Sequence, residues 1–220
     1  MGSSRLPGKV LLQIQSQSIL ERALRRLQAA ETVDAVAVLT TTLPADDAVI
    51  EMAEVLGALA FRGPELDVLK RYQLASDYFG PEIIIRATAD NPLIDIGSVD
   101  RIVRALRASD LDYCVEIELP VGAATEAITA QALRRVDALA ESPWHREHVT
   151  LYVKENPDSF RVAFLAPPDV LRRPDLRLTI DTPEDFILIE DIIQGVGDSS
   201  RPLPLERYLP RATELARTRP

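Results

Sequence analysis

Hydrophobic positions along the 220-residue chain follow two rhythms in turn, one of helical period and one of strand type. Ser18-Ile-Leu-Glu21 has the form of a capping box, and Leu20, Ala23, Leu24 and Leu27 follow at helical spacing. VDAVAVLTT (33–41) is a β-rich apolar run of the kind that is buried on both faces of a sheet. Residues 46–56 predict a helix ending at Gly57, and ALAF (58–61) a short strand. ELDVLKRYQLASDYF (65–79) is helical until Gly80-Pro81 breaks it, and EIIIRAT (82–88) is the clearest strand. A helix over 97–108 precedes a strand in LDYCVEIE (111–118). Helices over 129–141 and 145–155 are split by Ser142-Pro143. FRVAFLA (160–166) and LRLTI (176–180) complete the strands, and 184–194 is helical.

Strands alternating with helices predict an α/β fold with a mostly parallel, doubly wound sheet. Segment 111–135 has few turn signals and is the place for an antiparallel excursion. Residues 1–195 read as one domain. The tail 196–220, with Pro202, Pro204, Pro210 and Pro220, is expected to wrap the surface or fray.

Composition narrows the class. With 46% hydrophobic and 27% charged residues the chain is globular, and it has no apolar run long enough for a transmembrane helix. Residues 1–18 hold no secretory signal, and one cysteine, Cys114, precludes an internal disulfide framework; both fit a cytoplasmic location. A net charge of −9 argues against a nucleic-acid partner. The first thirty residues go against that balance, with Arg5, Lys9, Arg22, Arg25 and Arg26 against Glu21 alone. A locally basic leading segment suits a small anion.

Ligands of open α/β sheets bind beyond the carboxyl ends of the strands. EIIIRAT runs into Asp90-Asn91-Pro92, and LRLTI into Asp181-Thr182-Pro183-Glu184-Asp185. In the second, Thr182, Pro183 and Asp185 have the roles of N-cap, first helical residue and capping-box partner, which leaves Asp181 at the tip. Two carboxylates at one sheet edge can share a hard divalent cation with a substrate's phosphates. Each aspartate also has a plain reading as a turn residue.

MGSSRLPGK, FRGPELDVLKRY, RATADNPLID, REHVTLYVKENPDSF and RLTIDTPEDF occur in this order. Together they resemble the spore-coat polysaccharide cytidylyltransferase family, related to CMP-Kdo and CMP-acylneuraminate synthetases, over about residues 1–195. The resemblance implies the nucleotide-diphospho-sugar transferase (GT-A-like) fold and transfer of CMP from CTP to a sugar- or polyol-phosphate. It implies that Gly2, Ser3 and Ser4 close on the triphosphate while Arg5 and Lys9 neutralise the departing pyrophosphate, and that Arg86 and Asn91 line the nucleotide site. Asp90 and Asp181 would hold Mg²⁺, with Mn²⁺ as a substitute. Arg62, Asp67, Glu126, Arg146 and His148 would fall on the acceptor side, and a homodimer would form through 111–135. A non-catalytic nucleotide- or sugar-binding homologue and a synthetase for acidic keto-sugars are the competing readings.

Two departures accompany the resemblance. Family members carry a hydrophobic strand of roughly eight residues before the Gly-Ser-Ser-Arg loop, and its absence here predicts a gap in the middle of the sheet. Ala124 stands where the family's Pro-x-Gly-x-Asp-x-Glu pattern has its aspartate.

Overall fold

The computed structural model describes residues 5–197 and 201–218; Gly2, Ser3 and Ser4 lie outside them. A short hairpin of β1 (Gln13–Ile14) and β2 (Gln17–Ser18) delivers the chain into α1 (Ile19–Gln28). The Ser18 side chain accepts the Glu21 amide at 3.0 Å, as the capping pattern predicts. Next comes a parallel pair, β3 (Ala37–Thr41) and β4 (Leu59–Gly63), joined through α2 (Asp47–Val55). α3 (Val68–Phe79) starts on an Asp67 N-cap and stops at Gly80, whose φ of 66° is the left-handed conformation that suits glycine at a helix end.

A second sheet has the order β5–β7–β6–β8, formed by β5 (Ile83–Arg86), β6 (Tyr113–Glu116), β7 (Glu126–Thr129) and β8 (Val162–Leu165). β6 and β8 are parallel, and β7 runs antiparallel to both its neighbours. β7 is thus the excursion anticipated in 111–135. It is consumed inside the sheet: β6 and β7 lie between β5 and β8, and Tyr113, Cys114, Ala127 and Ile128 are buried. Both edges of these two strands are paired within the sheet. Around the sheets pack α4 (Ile96–Ala108), α5 (Ala130–Leu139), α6 (Pro143–His148), α7 (Leu151–Glu155), α8 (Pro183–Val196) and α9 (Leu209–Thr218).

Residues 176–180 correct the expectation of a strand. They keep a strand's alternation, with Leu176, Leu178 and Ile180 buried, but form a single bridge, Val121 with Arg177. The amides that would continue the ladder are used elsewhere: Ala123 donates back to the Pro120 carbonyl across the Gly122 turn at φ 93°, Leu176 to the Arg173 carbonyl and Ile180 to the Asp90 carbonyl. Gly122 also tolerates no side chain, because a Cβ there would stand 2.8 Å from the Thr179 nitrogen.

The tail also departs from expectation. Leu205, Tyr208, Leu209 and Ala212 are buried against Ile189, Ile192 and Ile193 of α8 and against Leu176, Leu178 and Ile180. Pro204 precedes the 3-10 turn over Leu205–Arg207 and Pro210 lies in the first turn of α9, so the prolines shape this segment without keeping it off the core.

The gap anticipated in the sheet is present. Among the described residues β3 pairs only with β4, and β5 only with β7. Between them lies a cleft of about 520 Å³ bordered by Val36, Ala37 and Leu39 on one side and Ile83, Ile85 and Ala87 on the other.

Because Leu205 is fully buried, Leu205→Ala is expected to cost about 2–5 kcal/mol in urea denaturation. A tail that only decorated the surface would give a change within about 0.5 kcal/mol.

Candidate active site

The amino-terminal loop enters the site through Gly8, in the left-handed conformation at φ 69°, and Lys9, which starts a 3-10 turn over Lys9–Leu11. Lys9 is only 9% exposed. Its ammonium donates to Asp90 Oδ2 at 2.7 Å, to the Ile180 carbonyl at 2.6 Å and to Asp181 Oδ1 at 3.0 Å. Asp181 is also paired with Arg5 at 3.2 Å and with Arg177. Burial works against the Asp181 carboxylate, but Lys9, Arg5 and Arg177 outweigh it and hold its pKa below the usual value.

The two aspartates are brought together by backbone. The Ile180 amide donates to the Asp90 carbonyl at 3.1 Å, which ties the tip beyond β5 to the turn before α8. The Thr182–Asp185 capping box is formed, and Asp185 also accepts the Asp181 amide at 2.9 Å. The cap therefore fixes the Asp181 backbone while leaving its carboxylate free to face the loop. Asn91 donates to Thr88 Oγ1 at 2.8 Å, and its buried Oδ1 has no hydrogen-bond partner among the described residues.

A second polar group lies along β5 and β7. Their register sets Arg86 directly opposite Glu126, and the two pair at 2.7 Å. Glu126 also accepts from Tyr113 Oη at 2.6 Å, Thr150 Oγ1 at 2.8 Å and Lys154 Nζ at 2.8 Å. Burial would raise the Glu126 pKa, but Arg86 and Lys154, followed by the Tyr113 hydrogen bond, bring it down to about 2. Burial, reinforced by the Glu126 charge, pushes the Tyr113 phenol up. Nothing in the local sequence pairs Tyr113, Thr150 or Lys154 with Glu126. The alternation of 111–118 places Tyr113 on one face of a strand, but its partner depends on β7.

The other residues assigned to the acceptor side stand apart from Lys9. Arg62 braces the loop after β3, donating to Asp47 at 2.5 Å and to the Thr41 carbonyl at 3.1 Å. Asp67 caps α3 and takes both Arg146 Nε and Nη2; Arg146 further binds Asp137 Oδ1 at 2.7 Å and two carbonyls. Asp67 and Arg146 thus form a clamp joining α3, α5 and α6. His148 ends α6 with its ring edge-on to Trp144 at 3.9 Å, and its buried Nε2 has no hydrogen-bond partner among the described residues. The next residue, Val149, is buried at φ 54°, a rare conformation for a β-branched side chain that persists only where the surrounding structure holds it.

Among the described residues no three or more His, Cys, Asp and Glu cluster as a metal site, and no helix is long and apolar enough to cross a membrane. Asp90, Asp181 and the Ile180 carbonyl nevertheless turn three oxygens towards one positive charge, the Lys9 ammonium. Oxygens gathered in this way fit a hard cation whose remaining ligands are phosphate and water.

Comparison with known proteins bears on the family and the fold. A sequence profile described as Cytidylyltransferase matches residues 1–201. The spore coat polysaccharide biosynthesis protein SpsF of Bacillus subtilis is 35% identical over 205 residues, which cover 90% of this chain and 85% of that protein. A cytidylyltransferase structure from Leptospira borgpetersenii superposes with a TM-score of 0.90 at 31% identity, covering 98% of this chain and 91% of the other. CMP:2-keto-3-deoxy-manno-octonic acid synthetase complexed with CTP superposes at 0.67 and 19% identity, over 88% of this chain and 95% of the other, and shows the shared fold.

The Glu126 pKa yields a pH dependence with a definite sign. A carboxylate depressed from 4.5 to about 2 on folding stabilises the native state above pH 4.5 and loses that contribution as pH falls towards 2. The full effect is on the order of 3 kcal/mol. Urea midpoints of the parent should decline across that window, and Glu126→Gln should flatten the decline while lowering stability at pH 7. Parallel curves for the two proteins would contradict the assignment.

Proposed function

The chain belongs to the cytidylyltransferase family, and from that premise we propose that it transfers CMP from CTP to a sugar- or polyol-phosphate with release of pyrophosphate. The observation that carries this reading is the convergence of Arg5, Lys9, Asp90 and Asp181 at one sheet edge. Carboxylates and cations interleaved in this way suit a polyphosphate accompanied by a metal ion. A polyphosphate alone would be repelled by the aspartates, and a metal alone by the cations.

Phosphoryl-type transfer asks a protein for alignment and charge compensation more than for covalent chemistry. Asp90 and Asp181 are the residues to hold Mg²⁺, which would withdraw charge from the phosphate oxygens. Arg5, 64% exposed at its side chain and paired with Asp181, would meet the charge that builds on the leaving pyrophosphate. Asn91 Oδ1, unsatisfied and buried beside Gly122, is available to the nucleotide. An acceptor phosphate is already ionised at neutral pH and attacks the α-phosphorus without a general base, so His148 need only hydrogen-bond the acceptor through Nε2.

Arg86 and Lys154 exceed the single charge of Glu126 by one, which supports an anionic acceptor. Arg146 is matched by Asp67 and Asp137 and positions α6, and through it His148, with no charge left to bind a carboxylate. The polysaccharide-biosynthesis role in the name of the Bacillus subtilis relative supports an acceptor from cell-surface glycan synthesis. The same premises favour an enzyme over a non-catalytic binder, because a binder has no use for paired carboxylates facing the leaving group.

Pyrophosphate release from CTP, measured across a panel of sugar and polyol phosphates, should require Mg²⁺ and stop in EDTA. Asp181→Asn should lower turnover roughly 10²–10³-fold, the usual cost of removing one electrostatic anchor of the reaction. CTP binding without turnover on any acceptor would instead support the binding-protein reading.

A further inference from the structure

Resting on this reading of Asp90 and Asp181, we propose that Lys9 is a built-in counter-cation that occupies the divalent-ion position until nucleotide arrives. Metal and triphosphate then enter together, and a bare metal ion is refused.

The geometry supplies the first argument. An ammonium has three N–H donors, and Lys9 spends all three, on Asp90 Oδ2, Asp181 Oδ1 and the Ile180 carbonyl. These are the same oxygens that a hard cation would use at this edge. Lys9 therefore cannot donate to a phosphate in this arrangement without letting go of at least one of them. The two roles are mutually exclusive in space, so an exchange must occur.

Charge supplies the second argument. Asp90 and Asp181 already face Lys9, Arg5 and Arg177. Arg177 divides itself between Asp181 and Asp185, the latter at 3.4 Å. A bare divalent ion added to this group meets three positive side chains at close range. A nucleoside triphosphate brings several negative charges, gives Lys9 and Arg5 new partners, and frees the two carboxylates for the ion it carries. Lysine suits this exchange because its charge is compact and rides on a flexible four-carbon stem. The backbone of Lys9 is fixed meanwhile, since its amide bonds the Leu6 carbonyl at 3.2 Å, so only the side chain need move.

The test measures metal binding without turnover. Mn²⁺ is titrated into nucleotide-free protein, and the free ion is read by electron paramagnetic resonance. The parent and Lys9→Arg, which keep a cation in place, should bind weakly. Lys9→Met should bind about tenfold tighter or more, because a like charge has left the site. In parallel, acylation of Lys9 in the parent, followed by mass spectrometry, should accelerate when Mn²⁺ in large excess displaces the side chain. This arm needs no variant and stands even if Lys9→Met fails to fold.

Equal affinities in the parent and Lys9→Met, or acylation indifferent to Mn²⁺, would overturn the exchange. If Asp181→Asn still abolished CTP-dependent Mn²⁺ binding, the metal site itself would survive that result. Absence of Mn²⁺ binding from Lys9→Met and from the CTP-loaded parent alike would sink both the exchange and the metal site beneath it.

Discussion

A single buried ammonium joins three parts of this protein that are far apart in sequence. Lys9 belongs to the leading loop, Asp90 to the tip beyond β5, and Ile180–Asp181 to the turn that starts α8; the contacts span 81, 171 and 172 residues. A charge this shielded from water is tolerable only with complete hydrogen bonding, so the three segments must adopt compatible positions for any of them to be stable. The capping box at Thr182 and the Ile180–Asp90 backbone bond provide that compatibility. The sheet edge is organised for anions and cations together before any ligand is considered.

The Glu126 network does a comparable task further back along β5. One carboxylate receives hydrogen bonds from β5, β6, α7 and the turn at Thr150, and so links the sheet to the helical layer. The strained Val149 lies between Thr150, which is part of this network, and His148, which is not bonded through its Nε2. Burial of the Val149 side chain holds the strained backbone at that position. Arg146, locked between Asp67 and Asp137, fixes the helix that carries it. This part of the fold is therefore built largely from side chains that hold each other.

The cleft between β3 and β5 separates the half of the sheet that carries Arg62 from the half that carries Arg86 and Asp90. Its walls are mostly apolar, and parallel sheets of this kind normally bury both faces and both edges of their central strands. The two halves are held together instead by α1, α3 and α4 and by the Lys9 contacts at the edge. The candidate site thus stands at the end of a seam in the sheet, and its long-range ion pairs contribute to closing that seam.

Much of this was legible in the chain itself, because the signals were local. Capping at Ser18 and Thr182, the helix stop at Gly80 and the apolar runs of β3 and β5 depend on residues within a turn or two of each other. Five ordered motifs were enough to indicate the family, and the gap in the sheet followed from that resemblance. What the chain did not disclose was set by pairing across distance. Residues 176–180 have a strand's alternation, but the turn at Gly122 and the Asp90 carbonyl, both more than fifty positions earlier, take up the hydrogen bonds that would extend a ladder. The proline-rich tail looks like a surface strap, yet its leucines find an apolar face on α8 that only the folded chain presents. Asp67 and Arg146, Arg86 and Glu126, and Lys9 with its two aspartates are each a charged pair whose partner is decided by strand register and helix packing. Composition determines which charges a chain carries, and local pattern determines the elements they sit on. Which charges meet is a property of the tertiary structure, because Coulomb attraction in a protein acts over a few ångströms, and sequence does not measure that distance.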